Sequence, residues 1–438
     1  MSPRQRARML KTDRLLLIAV CVTFAAPGTA LAEKVILQSD DWQVFTDGRV
    51  GSFLSWVHGD GAPTADPNVM IQGHNESIIG GSWPIAQEPH SGDGPGTVNM
   101  MRLRSGFLGN QFALGVRGKV TQWTTVTGYV QVWAYIESDQ RDKSQPNYLD
   151  ARQGYLKLEG PWGSFLAGRT RTLFSRGATD IDVLYAHKWG VGFPNTVDRK
   201  GPTLGMVGFG VMGSGFGAGM IYGTPVFGGL QLNVGIFDPA ALGGPGWNGT
   251  KYVRPEAELT FEKKLGEVGK LVLFADGVYQ KVYKPGQCTP TPDNPCEETV
   301  EGVGYGGRLE LGPFHMGVAG FYGKGLGLSY ALENSYAAAD TDTYLRWSDG
   351  YYGQTQLVLG KFDLFAGVGI VRLFLTQLDQ NQPWNSSVKY QTGANAGIVY
   401  NMTPSIHWDL EYFRAEDKWF LGEQQVLNCG AVGVTFNW

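Results

Sequence analysis

The residues best suited to chemistry are scattered along the chain. Six histidines occur, His58, His74, His90, His187, His315 and His407, and they form no His/Asp or His/Cys set with the spacing of a metal site. Ser405 and His407 share one face of a strand, which is how a nucleophile and its base could meet. No third partner and no oxyanion donor accompanies them, so His407 reads as an ordinary inward-facing residue. Asp60, Asp66 and Asp93 lie in one long polar segment where a divalent cation is conceivable. Without a coordination pattern, a solvated loop explains them equally well. No catalytic residue, metal or cofactor is expected.

The cysteines suggest a staple. Cys288 and Cys296 bracket the proline-rich stretch Thr289 to Pro295, which reads as a loop. In an oxidising compartment the pair is expected to form a disulfide across it. Cys429 is left over, and its strand parity makes it an inert, inward-facing thiol. Cys21 falls in an N-terminal segment with the marks of an export signal. Arg4, Arg6, Arg8, Lys11 and Arg14 form a basic start, Leu15 to Ala26 a short apolar core, and Ala30-Leu31-Ala32 a small-residue cleavage site. The apolar run is short for a membrane anchor, so residues 1–32 are expected to be removed.

The elements that must position these residues follow a two-residue beat. The last strand alternates Val426, Asn428, Gly430, Val432, Val434 and Phe436 before Trp438 closes the chain. Earlier strands are expected at Trp42 to Val57, Arg102 to Gly118, Thr124 to Glu137, Tyr148 to Glu159 and Ser164 to Arg171. Next come Phe216 to Gly223, Leu230 to Phe237, Tyr252 to Lys263, Lys270 to Val282, Val300 to Leu311 and Phe314 to Tyr322. The remainder are Tyr344 to Leu359, Asp363 to Phe374, Val388 to Tyr400 and Ser405 to Arg414, with a last loop from Ala415 to Glu423. Connections alternate long and short throughout.

Several strands show one apolar and one polar face. Ala257, Leu259 and Phe261 oppose Glu256, Glu258 and Glu262. Ile406, Trp408, Leu410 and Tyr412 oppose His407, Asp409 and Glu411. Val388 and Tyr390 are assigned to the apolar side of their strand, and Lys389 to the wet side. The 63 glycines, 22 phenylalanines, 19 tyrosines and 13 tryptophans suit curved strands with aromatic belts at two interfaces. The expected fold is all-β: a closed antiparallel transmembrane β-barrel, counted at sixteen strands, with fourteen and eighteen remaining open. An even count leaves no sheet edge exposed in lipid. A soluble β-sandwich is the plainer alternative, but it leaves the strand lengths and the aromatic chain end unexplained.

Charge narrows the function. The whole chain holds 36 basic and 40 acidic residues. Losing residues 1–32 removes five basic residues and Asp13, leaving a net charge of about −8. No basic tract points to nucleic acid.

The chain resembles the general porins of Gram-negative outer membranes over essentially all of its mature length. The resemblance rests on Ala151-Arg152-Gln153-Gly154-Tyr155 followed by Leu166-Ala167-Gly168-Arg169, and on Tyr222 to Leu230 with its Thr224-Pro225 turn. The aromatic chain end, the export signal and the rhythm of connections add to it. It implies passive diffusion of ions and small hydrophilic solutes through a homotrimer set in outer-membrane lipid and lipopolysaccharide. It also implies that the barrel-assembly machinery reads the chain end. Here Phe436 and Trp438 carry that signal, with Trp438 replacing the usual phenylalanine.

The same resemblance assigns residues 172–215 to a third long loop folded into the lumen. Arg104, Arg117, Arg169 and Arg171 are then candidates for the pore wall, and Asp180 and Asp182 for the loop opposite, setting a transverse field across the passage. Salt bridges pinning loop to wall are the simpler role for the same charges. A solute-selective channel and a structural or adhesive surface barrel are the competing functions.

Overall fold

The computed structural model describes residues 33–60, 98–104, 109–134, 149–182, 205–242, 247, 249–284, 286, 288–291, 295–329, 332, 338–340, 344–381, 388–420 and 422–438. The expected export signal lies outside them, as do Asp66, Asp93, His74, His90 and His187.

One antiparallel sheet closes on itself. The chain begins with a short strand β1 (Lys34–Gln38) and the long β2 (Trp42–Gly59). β3 (Val98–Arg104), β4 (Asn110–Thr121), β5 (Thr124–Ala134), β6 (Leu149–Gly160) and β7 (Gly163–Arg171) follow. A short helix α1 (Arg176–Ile181) separates these from β8 (Phe216–Gly223), β9 (Leu230–Phe237), β10 (Arg254–Lys264) and β11 (Gly269–Tyr283). Then come β12 (Glu297–Leu311), β13 (Phe314–Lys324), β14 (Trp347–Leu359) and β15 (Phe362–Phe374). A second short helix, α2 (Gln377–Asn381), precedes β16 (Val388–Asn401), β17 (Ile406–Trp419) and β18 (Gln424–Asn437). Each strand pairs with the next, and β18 returns to β2, aligning Asn437 with Arg49 and Leu427 with Gly59.

The closed ring has sixteen strands. β3 and β4 count as one, because β3 pairs with the far half of β2 and β4 with its near half. Arg104 faces Phe53 and Gln111 faces Arg49, so seven residue steps oppose four. The odd surplus swaps the parity of the two segments. β1 is an addition that the alternation did not suggest. Four of its five residues pair with Gln43 to Thr46 beyond the end of β18, with a register shift at Ile36.

Two further differences from expectation have local causes. β17 continues to Trp419, so only residues 420–423 join it to β18. Its charged run Glu416-Asp417-Lys418 reads as a loop, yet Asp417 and Trp419 are buried and keep the alternation. At the start of β16 the register shifts between Val388 and Tyr390. The extra residue there is Lys389, which is exposed, while Val388 is fully buried. A bulge has therefore exchanged the faces assigned to these two residues.

The two faces of the sheet are sharply different. Leu230, Leu232, Val234, Ile236, Leu259, Trp408, Leu410 and Tyr412 are exposed on the outside. Glu256, Glu258, Asp276, Asp409 and Glu411 are buried on the inside. A sheet with an apolar exterior and carboxylates inside is inverted relative to a soluble protein, as hydrocarbon solvent requires. Cys429 is buried, as its parity indicated.

Candidate functional site

The interior is partly filled by the segment that leaves β7. Ser175 adopts a left-handed conformation with φ 61° and turns the chain into α1. Its amide and the two before it meet carboxylates projecting inward from β10 and β11. The N–H groups of Leu173 and Phe174 donate to Glu256 Oε2 at 2.7 and 2.9 Å. The Ser175 N–H donates to Asp276 Oδ2 at 3.1 Å. The Arg176 guanidinium pairs with Glu258, its Nε donating to Oε1 at 3.0 Å, and Asn233 Nδ2 donates to the same carboxylate at 3.1 Å. Asn233, Glu258 and Asp276 stand in one cross-strand row. Buried carboxylates are costly unless hydrogen-bonded, and here the incoming loop supplies the donors.

The loop is also held farther round the wall. Tyr352 Oη donates to the Ala178 carbonyl at 2.9 Å. Asp182 accepts from the Met206 N–H at 2.6 Å and from Gln354 Nε2 at 3.2 Å. Phe209 packs edge-on against Phe413 with ring centres 5.0 Å apart. Ile181, Met206, Phe209 and Val211 share a buried cluster with Phe274 and Phe413. The described parts of the loop therefore lie against the wall that runs from β10 to β17.

The charges expected to face one another across the passage are arranged differently. Arg171 and Asp180 meet directly, Nη1 donating to Oδ1 at 2.6 Å, and Arg171 Nε also donates to Ser214 Oγ at 3.1 Å. Asp182 is fully buried in the bonds just described. Both aspartates thus pin the loop. Arg169 lies on the opposite face of β7. Its neighbour Thr170 donates to Gln153 inside the barrel at 3.2 Å, and alternation sends Arg169 outward with Phe165. Arg169 is exposed there. Arg171 shares that parity, but as the last residue of its strand it follows the chain as it leaves the sheet. Arg117 does face inward, over the Phe45 ring at 4.6 Å, and forms an ion pair with Glu33 at 2.9 Å. Arg104 ends β3 opposite Phe53, and its side chain lies outside the described residues. The Cys288–Cys296 disulfide is formed, between the end of β11 and the start of β12.

The wall away from the loop, on β4 to β6, carries residues whose role does not depend on charge. The inward positions of β5 and β6 pair as Thr127 with Lys157, Tyr129 with Tyr155, and Gln131 with Gln153. Tyr129 and Tyr155 stack with centres 5.1 Å apart, and Phe45 extends the row at 6.4 Å from Tyr129. Above them Gln153 Nε2 donates to Gln131 Oε1 at 2.9 Å, and Gln131 Nε2 donates to Gln111 Oε1 at 3.3 Å. Higher still, a bulge at Arg152 lays its guanidinium 4.4 Å from the Trp133 ring centre. The sequence signal was present in the alternation of Tyr129, Gln131 and Trp133 with Gly128, Val130 and Val132.

A closed barrel, apolar outside and polar inside, with a loop strapped across part of its lumen, defines a membrane channel built from strands. A family model described as Gram-negative porin matches residues 17–418, and the chain belongs to that family. Among solved structures, the chain is similar to the outer membrane channel DcaP of Acinetobacter baumannii. The identity is 14%, the match covers 92% of this chain and 99% of that one, and the TM-score is 0.63. It is likewise similar to an anion-selective porin from Comamonas acidovorans, at 12% identity, covering 91% and 100% of the two chains with a TM-score of 0.58. Salmonella typhi OmpF in complex with daunomycin aligns at 10% identity over 92% and 99%, with a TM-score of 0.51. These identities establish a shared fold. No curated protein matches the chain. The protein is a multi-pass β-barrel of the Gram-negative outer membrane and a passive diffusion channel. Its family is one of channels rather than enzymes.

Proposed function

We propose that solutes pass between the inward loop and the wall formed by β4 to β6, and that residues 172–215 set the width of that passage. The observation that carries this reading is the one-sidedness of the strapping. Leu173, Phe174, Ser175 and Arg176 are held by Glu256, Asp276 and Glu258 on β10 and β11. Nothing comparable among the described residues ties α1 to β5 or β6. An unobstructed sixteen-stranded barrel is a wide aqueous channel, so a loop held to one side leaves a narrowed passage on the other. Transport is diffusion down a gradient, with no covalent chemistry at Ser405, His407 or elsewhere.

In this reading residues 1–32 direct export and residues 33–438 form the single barrel domain. Three copies assemble as in other members of the family. Phe436 and Trp438 present the chain end to the assembly machinery. Within the passage, Arg117 contributes positive charge to the wall, tempered by Glu33. Arg171, Asp180 and Asp182 act by holding the loop.

Purified protein in a planar bilayer tests the reading. Stepwise ion conductance is expected, in groups of three if the trimer inserts as a unit. A protein that inserts but conducts no ions in any salt or voltage overturns it.

A further inference from the structure

The wall facing the proposed passage carries charges that are largely paired. Three of its charged side chains come with partners: Arg117 with Glu33, Lys157 with Glu159 at 2.7 Å, and Arg152 with Asp150 at 3.0 Å. Between these pairs stand the stacked rings of Tyr129 and Tyr155 and, one step up the strands, the amides of Gln131 and Gln153. Successive inward residues on a strand are about 6.6 Å apart. A ring shelf and an amide row at that separation suit a small solute that has an apolar face and a hydroxylated edge.

Both rows have capacity left. The residue opposite Tyr155 on β7 is Gly168, where a Cβ would sit 2.6 Å from the Tyr155 Cα. No side chain therefore rises from that neighbour beside the ring. The next residue in the row, on β8, is Gly219, and the buried Phe237 ring occupies the space a side chain there would take. Tyr155 is half-buried, with Tyr129 stacked on one side and the Gly168 position, bounded beyond by Phe237, on the other. Gln153 is also half-buried, and its amide nitrogen has a second N–H beyond the one given to Gln131. Tyr129 Oη donates to Asp47 at 3.0 Å, which fixes the ring plane.

We infer that Tyr129, Tyr155 and Gln153 form a weak binding track for neutral hydroxylated solutes of the sugar class. This inference rests on the passage proposed above. Aromatic faces take the C–H surface of a sugar ring, and planar amides exchange hydrogen bonds with its hydroxyls. Ions gain less here than at an unpaired charge, because Arg117, Arg152 and Lys157 each have a carboxylate partner.

The test is open-channel conductance of the full protein in potassium chloride with maltose added. Saturating, concentration-dependent block is expected, while a polyethylene glycol of similar size lowers conductance without saturating. Tyr155→Ala should raise the half-saturating maltose concentration about threefold to tenfold, and Tyr155→Phe should leave it near the parent value. Block by benzoate without block by maltose would reassign the strip to planar anions and overturn the inference. So would maltose block that Tyr155→Ala does not change, or no maltose effect in a channel that conducts ions normally. Absence of ion conductance would instead remove the passage itself and the inference with it.

Discussion

Gly48 and Trp438 close the barrel on each other. The Trp438 N–H donates to the Gly48 carbonyl at 3.1 Å, and the Gly48 N–H donates to the Trp438 carbonyl at 3.1 Å. The indole lies across the glycine, so that a Cβ on Gly48 would come within 2.1 Å of the ring. Phe436 stacks on the same indole with centres 5.6 Å apart. The terminal aromatic is thus the final cross-strand contact of the seam between β18 and β2.

Gly48→Val should force that ring away. Overpacking of this kind costs about 1–3 kcal/mol. The expected outcome is a lower temperature for conversion of the folded band to the unfolded band on unboiled gels. Trp438→Ala combined with Gly48→Val should recover part of the loss, because the clash is gone. A melting temperature unchanged by Gly48→Val would dissociate the indole contact from closure.

Arg169 and Arg171 provide an internal contrast, two residues apart on one strand. Arg169→Glu alters the outer face and should leave single-channel conductance and reversal potential at their parent values. Arg171→Glu sets a carboxylate against Asp180 in place of the 2.6 Å ion pair. Losing one partner of a mostly buried pair costs about 3–5 kcal/mol where burial is complete, and less here because Arg171 keeps some solvent. The loop should loosen, with a change in conductance and more open-channel noise. A reversal potential shifted by Arg169→Glu would contradict the outward placement.

Sequence alternation located the barrel because hydrocarbon imposes its rule on every strand, and an outward Leu230 or Trp408 is legible one residue at a time. Sixteen strands and the inward carboxylates Glu256 and Glu258 followed from it. The site was harder to read. Parity placed Arg169 and Arg171 together, but the chain leaves the sheet at Arg171, and parity ends where a strand ends. Lys389 and Arg152 fall on bulges, which shift the count by one without a marker in residue type. Pairing was the other blind spot. Asp180 and Asp182 have the composition of pore charges, yet a three-dimensional partner decides whether a carboxylate faces water or an amide. Tyr129 and Tyr155 become a row only when β5 and β6 are set in register.

The Cys288–Cys296 disulfide closes a short loop at the end where β11 gives way to β12. Chain-entropy arguments assign a loop of that length about 2.5 kcal/mol of stabilisation. It lies beyond the strands that frame α1. Reduction should therefore raise protease sensitivity near Gln287 to Glu297 and leave conductance within the scatter of the oxidised protein. A conductance that moves with the redox state would connect this outer loop to the passage.

Glu256 anchors the start of the inward loop through two of its backbone amides. One carboxylate oxygen receives both the Leu173 and Phe174 amides, and the other is 2.8 Å from Arg254 Nε. Glu256→Gln keeps the size of the side chain but replaces one acceptor oxygen with a donor. It faces either two buried amides or a guanidinium with the wrong group. An unsatisfied buried donor costs about 1–3 kcal/mol. At about 1.4 kcal/mol per tenfold, a 2 kcal/mol loss multiplies the population of the released loop roughly thirtyfold. The expected record is a channel with more open-state noise that closes at lower voltage, while β-sheet circular dichroism and gel mobility match the parent. Glu262→Gln, on the same face of β10 but nearer its end, should leave the recordings unchanged. If Glu256→Gln and Glu262→Gln behave alike, the loop is held by its apolar packing around Phe209 and Phe413, and the carboxylate contacts are secondary.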